Sequence, residues 1–223
     1  FMRGILQPNC FYYNINDKLF KDSSGVNLFY KFRKKYGNIS KTYMFGRKIY
    51  VIKKESHFIS NLNKQLVRKD PILNLSYERM GDSGIAFICQ SKNLLHVRQL
   101  DLSWNEISDI GINKLATCKS LSNLTRLVLS SNEIGDKGAQ ILSSSESLSK
   151  LKCLELAFNH IAHFGALSLV KSHKLRSLQS LDLEMNKVGE KKSNKFPDGI
   201  TIPELRILNL RKNKIGNDVI LDW

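Results

Sequence analysis

One spacing constrains this chain more than any other property. Leu73, Leu100, Leu127, Leu154, Leu181 and Leu208 follow one another at intervals of 27 residues, with no insertion between them. Two residues after each stands another leucine, at Leu75, Leu102, Leu129, Leu156, Leu183 and Leu210. Five after comes Glu78, then Asn105, Asn132, Asn159, Asn186 and Asn213. Seven after come Met80, Ile107, Ile134, Ile161, Val188 and Ile215. Eleven after come Gly84, Gly111, Gly138 and Gly165, each followed four residues on by Ile88, Leu115, Leu142 or Leu169. A period of this length means stacked units, none of which can bury its apolar face alone.

Each unit reads as one short strand and one helix. The L-x-L step alternates with period two, as a strand requires. The second half, for example "GDKGAQILSSS", spaces apolar residues three or four apart, as a helix does, with the repeat glycine expected ahead of it. Each asparagine falls where the chain leaves the strand and turns inward. Its amide is expected to donate to the backbone of one neighbouring unit and accept from the other, satisfying groups that burial would leave unpaired. Glu78 interrupts the series in the first unit, where one neighbour is missing.

The pattern L-x-x-L-x-L-x-x-N-x-I-x-x-x-G-x-x-x-L resembles the leucine-rich repeat family, in its ribonuclease-inhibitor-like subtype, over residues 70–223. The resemblance implies an α/β solenoid of about six repeats, with a parallel sheet on the concave face and helices on the convex face. Regularity fails late: Lys192 and Val219 stand where the glycine belongs, and "GEKKSNKFPDG" predicts a loop on the convex side of the fifth unit. The chain reaches Trp223 without a polar cap, so a further segment is expected.

Residues 1–69 lack the period and read as a small basic capping segment built from a helix, a hairpin and a helix. "NLFYKFRKKYG" carries a helical stripe of Phe29, Phe32 and Tyr36; "ISKTYMF" and "KIYVIK" form a hairpin around Gly46 and Arg47; residues 55–66 put Phe58, Ile59, Leu62 and Leu66 on one helical face. The stretch is similar to the opening of haem-thiolate monooxygenases. That family's haem-ligating cysteine loop has no counterpart here, so the similarity implies local structure without the activity. Residues 1–69 hold 15 Lys/Arg against 3 Asp/Glu, which is +12 of the total +15. The simpler reading is a solvated surface over the open edge of the first repeat. The sharper one is an anionic surface, membrane or nucleic acid, met by Arg33, Lys34, Lys35, Arg47 and Lys48.

Motifs of catalysis are missing from the sequence: there is no phosphate-binding glycine loop, nucleophile elbow or HExxH. Cys10, Cys89, Cys118 and Cys153 form no CxxC pair and read as reduced thiols of a cytosolic protein. His160, His163 and His173 read as surface histidines rather than metal ligands. The chain is therefore expected to be non-enzymatic and to need no cofactor or metal.

Recognition is expected on the concave face. Outward columns read Asn74, Asp101, Val128, Glu155, Asp182 and Asn209; then Ser76, Ser103, Ser130, Ala157, Glu184 and Arg211; then Tyr77, Trp104, Ser131, Phe158, Met185 and Lys212. Large apolar groups in a row mark a contact surface. The expected partner-binding residues are Tyr77, Asp101, Trp104, Glu155, Phe158, Asp182, Glu184, Met185 and Arg211: an acidic, aromatic-lined concavity with a positive end. Six strands about 4.8 Å apart span about 24 Å, room for one helix or the edge of a small domain. A protein partner bound by a monomer is thus the expected function. The Lys/Asn/Ile/Ser-rich composition and the lack of a secretory signal resemble effectors that intracellular bacteria of the Legionella kind deliver into a host. The expected location is accordingly cytosolic, in the cell of origin or in the host.

Overall fold

The computed structural model describes residues 41–45, 48–52, 57–91, 94–189 and 200–215, with side chains from Asn61 onward, Asn63 excepted. Two compact units divide the chain, residues 1–60 and 61–223. In the first, β1 (Lys41–Phe45) and β2 (Lys48–Ile52) pair antiparallel, with Tyr43 opposite Tyr50 and Phe45 opposite Lys48. This is the hairpin expected around Gly46 and Arg47. The helix expected over residues 27–37 lies outside the described residues, as do Arg33, Lys34, Lys35 and Arg47. The second expected helix is present as α1 (His57–Arg68), on which Leu62 is buried and Leu66 half-buried. The side chains of Phe58 and Ile59 lie outside the description.

The repeats build one parallel sheet in chain order: β3 (Ile72–Asn74), β4 (Gln99–Asp101), β5 (Arg126–Val128), β6 (Cys153–Glu155), β7 (Ser180–Asp182) and β8 (Ile207–Asn209). The register pairs Leu73 with Leu100, Leu100 with Leu127, and so on to Leu208, one period per strand. Parallel pairing requires each return to cross over. The crossovers contain α2 (Gly81–Gln90), α3 (Asp109–Ala116), α4 (Asp136–Ser143) and α5 (His163–Val170), each packed on the next. Both leucines of the first five strands and Ile107, Ile134, Ile161 and Val188 are sealed from solvent. A further buried pair lies on the way back to the sheet, at Leu94/Val97, Leu121/Leu124, Leu148/Leu151 and Leu175/Leu178. Leu208 and Leu210 are only half-buried, and among the described residues no strand pairs with the outer side of β8. The expected convex loop of the fifth unit, with Lys192, lies outside the described residues, as does Val219.

The asparagine ladder exists, but its direction differs from expectation. Asn132 accepts through Oδ1 from the amides of Asn105 (3.1 Å) and Ile107 (3.0 Å), both in the preceding unit. Its Nδ2 donates to Leu102 O in that same unit (3.0 Å) and to Leu129 O and Ser130 O of its own turn. Asn105, Asn159, Asn186 and Asn213 likewise direct both ends of the amide backwards. A side chain therefore never bridges its two neighbours. The link forward is made by the next asparagine in the series.

This polarity explains Glu78. A ladder asparagine in the first unit would have no preceding unit to bond. Instead Glu78 accepts from Asn61 Nδ2 of α1 at 2.7 Å. One turn later on the same helix, Gln65 covers the open edge of β3: its Oε1 accepts from the Asn74 amide (2.8 Å), and its Nε2 donates to Asn74 O (2.6 Å). A side-chain amide thus occupies the place of a neighbouring strand, which keeps the edge from templating another chain.

A second ladder on the helical side went unread in the sequence. Asp82 Oδ1 accepts from the amides of Ser108 and Gly111, both at 2.9 Å, while its Oδ2 takes the Ser108 hydroxyl. Asp109 does the same for Gly135 and Gly138, and Asp136 for Ala162 and Gly165. Each carboxylate caps the first turn of the next unit's helix, where unsatisfied amides and the helix dipole favour negative charge. The repeat glycine is therefore the third residue of its helix, not a residue ahead of it. A Cβ at Gly138 would lie 2.5 Å from Asp109 Oδ1, so glycine is required for the carboxylate to approach. His163 stands at the next position of the series, which ends the run of aspartates formed by Asp82, Asp109 and Asp136.

Replacing Asn132 by alanine should strand two buried amides and a carbonyl at once. The expected loss is about 3 kcal/mol of folding free energy in urea denaturation. A loss under about 1 kcal/mol would mean that the ladder does not carry the solenoid.

Candidate protein-binding face

The third outward column does not lie in the strands. Each strand is three residues long, and Tyr77, Trp104, Ser131, Phe158, Met185 and Lys212 all sit in the turn beyond, with φ between 52° and 61°. A left-handed backbone costs an ordinary L-residue roughly 1–2 kcal/mol, so the surroundings must enforce it. Two devices do so. Main-chain bonding between units continues past the strands, as in Trp104 N to Ser130 O (3.1 Å) and Phe158 N to Glu184 O (2.9 Å). Residues of the first column also close the turn locally: Asp101 Oδ1 accepts from the Ser103 amide (2.9 Å) and hydroxyl (2.7 Å), and Asp182 Oδ1 from the Glu184 amide (2.9 Å). Asn74 and Asn209 make the equivalent bonds. These are Asx turns, so Asp101 and Asp182 shape the surface as well as charging it.

Tyr77 and Trp104, 69% and 52% exposed, stack with ring centroids 5.4 Å apart and planes 11° from parallel. They stand on adjacent rungs, and the strand spacing of about 4.8 Å is near the preferred ring separation. Beside them a hollow of about 300 Å³ is lined by Arg79, Glu106, Ser131, Asn132 and Glu133. Sequence reasoning passed over Arg79, Glu106 and Glu133, although all three follow the ladder position at the same offset, in one charged column. Phe158 (49% exposed) and Met185 (37%) continue the row beyond Ser131.

Ion pairs narrow the acidic groups of the concave face. Glu155 is paired with Arg126 at 2.6 Å, and Glu184 with Lys212 at 3.1 Å and Asn209 Nδ2 at 3.2 Å. The Lys212 ammonium, helped by the Asn209 amide, holds the Glu184 carboxyl below the usual glutamate range. Neither Asp101 nor Asp182 has an ion-pair partner among the described residues. The negative character available to a ligand is thus narrowed to those two aspartates, while Arg211 stays exposed and Lys212 is engaged. Ala157 of the second column is buried rather than outward.

Other sequence candidates are dispersed. His160 and His173 are exposed, and His163 is half-buried with its ring edge-on to Phe164. Among the described residues no three His, Cys, Asp or Glu side chains converge as a metal site would require, and no helix is long and apolar enough to cross a membrane.

A family model described as leucine-rich repeat matches residues 93–116, 120–143 and 203–218, all within the periodic units above. These segments are leucine-rich repeats, and the fold is that of a leucine-rich repeat solenoid. Among solved structures it is similar to an internalin from Listeria monocytogenes, 26% identical over 56% of this chain and 32% of that one, with a TM-score of 0.39. It is also similar to a TDR receptor, 19% identical over 59% and 25% of the two chains, with a TM-score of 0.36. The leucine-rich repeat ectodomain of the receptor kinase SOBIR1 from Arabidopsis thaliana is 17% identical over 86% and 94%, with a TM-score of 0.35. This chain thus spans about a third of the internalin and a quarter of the TDR receptor. A comparison with curated protein sequences finds no match. Leucine-rich repeat domains generally serve as non-enzymatic scaffolds that recognise proteins.

Changing Lys212 to methionine should raise the Glu184 pKa towards the ordinary value of 4.5, as followed by carboxyl NMR titration. Because the folded value is depressed, the pair's contribution to stability is present above the unfolded pKa and lost as pH falls through the folded one. The variant should therefore lose less stability than the wild type over that acid window.

Proposed function

We propose that this protein is a monomeric recognition module that binds a protein partner on the concave face, through the row running from Tyr77 to Met185. The observation that carries this reading is the Tyr77–Trp104 pair: two large aromatic residues held stacked and half or more exposed on a left-handed turn. Aromatic anchors beside polar groups are the usual centre of a protein interface. Asp101 and Asp182 would add a basic preference in the partner, and Arg211 an acidic contact at the far end. The strand-and-helix unit also favours the ribonuclease-inhibitor-like subtype. The Lys/Asn/Ile/Ser-rich composition supports a bacterial effector acting on a host protein in the host cytosol. In affinity purification from host-cell lysate, the double variant Trp104→Ala, Asp182→Lys should lose partners that the wild-type chain retains. Unchanged capture would overturn the assignment of this face.

A second reading rests on the +12 charge of residues 1–69: this segment would bring the repeats to an anionic membrane or nucleic acid. Flotation of the full chain with phosphatidylserine vesicles, and its binding to nucleic acid, should then weaken steeply between about 50 and 200 mM salt. Absent or salt-insensitive binding would sink this reading.

A further inference from the structure

Cys89 and Cys118 are 29 residues apart in sequence and show no motif, yet the stacking of the first two units places both at one cavity. Cys89 lies near the end of α2, and Cys118 just after α3 in the next unit. Both are free thiols that line one cavity of about 520 Å³, together with Lys114, Thr117, Lys119 and Ser120. Cys118 Sγ stands 3.2 Å from Ser120 Oγ, and Cys89 Sγ 3.7 Å from Lys114 O.

We propose that Cys89 and Cys118 form a modification site that takes two-electron oxidants of the hydroperoxide class and closes a disulfide between the first and second repeats. Cys118 is the attacking sulfur. The hydrogen bond from Cys89 lowers its thiol to about 6, against the cost of burial, and the Ser120 hydroxyl and the backbone amides of Ser120 and Leu121 reinforce the effect. Cys89 is pushed up by its interaction with Cys118 and by burial, because ionising it would set two thiolates side by side. Lys114 and Lys119, the charged groups in the cavity lining, add a positive surround. Cys153 is the internal contrast, held protonated by burial and by Glu155.

The chemistry balances with the hydroperoxide as sole co-reactant. The Cys118 thiolate attacks the terminal oxygen, the O–O bond breaks, and the departing alkoxide takes up a proton to leave as alcohol, or as water when the oxidant is hydrogen peroxide. This gives a sulfenic acid on Cys118. Cys89 then attacks that sulfur, an S–S bond forms, and hydroxide leaves as water with the proton Cys89 gives up. Two thiols and one hydroperoxide become a disulfide, an alcohol and water. The pair joins α2 to the end of α3, on the helical side of the sheet, so the face around Trp104 is not itself altered.

The test uses the full chain carrying Cys10→Ser and Cys153→Ser, with hydrogen peroxide as the probe at pH 7. The expected result is loss of both remaining thiols, one proteolytic peptide linking Cys89 to Cys118, and return of both thiols on reduction. In the otherwise native chain, Cys118 should oxidise at least about tenfold faster than Cys153. Adding Cys89→Ser removes the resolving sulfur, so Cys118 should accumulate as a sulfenic acid that dimedone labels, with circular dichroism confirming the fold. Two thiols that stay free, or that oxidise separately to sulfinic acids without a linked peptide, would overturn the proposal.

Discussion

Parallel strands three residues long make too few main-chain bonds to hold a sheet, and the buried asparagine series supplies the rest. Each amide turns back on the unit before it and satisfies amides and carbonyls that enter the core where the chain leaves the strand. A buried unpaired polar group costs about 1–3 kcal/mol, so the tight inward turn depends on this side chain. The residue immediately before each asparagine is left in the left-handed region, and its side chain is thrown outward. Trp104 is exposed because Asn105 is buried.

The solenoid has two edges of opposite requirement, since the ladder is directional. At the start there is no earlier unit to bond, and α1 supplies substitutes: Asn61 for the interrupted ladder at Glu78, Gln65 for a missing strand along β3. On the helical side the aspartate series runs the other way, each carboxylate reaching forward to the next helix. Between them the two ladders tie the first four units in both directions. The aspartate series stops at Asp136, whose ligand is the helix beginning at His163. Position 163 itself offers an imidazole where a carboxylate would be needed to cap a fifth helix.

On the outward face, charges that look available along the sequence are largely committed once the strands are placed side by side. Arg126 and Glu155 sit on neighbouring strands, as do Glu184 and Lys212 in neighbouring turns. Their pairing leaves the aromatic row and two aspartates as the groups with the least internal business. Exposed ion pairs contribute little stability, and here they lower the net field on a ligand, so shape and apolar contact dominate what this face can recognise.

The sequence by itself determined the architecture. A 27-residue period with leucines two apart leaves one solution, a parallel sheet in chain order with one helix per return, and the columns of outward residues follow from it. The hairpin at residues 41–52 and the helix after it were legible from alternation and helical spacing. What only the tertiary structure decided are the relations between units. The direction of the asparagine bonds, the role of the repeat glycine beside an aspartate from the preceding unit, the Gln65 cap, and the pairing of Glu155 and Glu184 all join residues 9 to 30 positions apart. The meeting of Cys89 and Cys118 is of the same kind. Periodicity reports which face a residue takes within its unit; whether that residue is free or already engaged depends on the unit stacked against it.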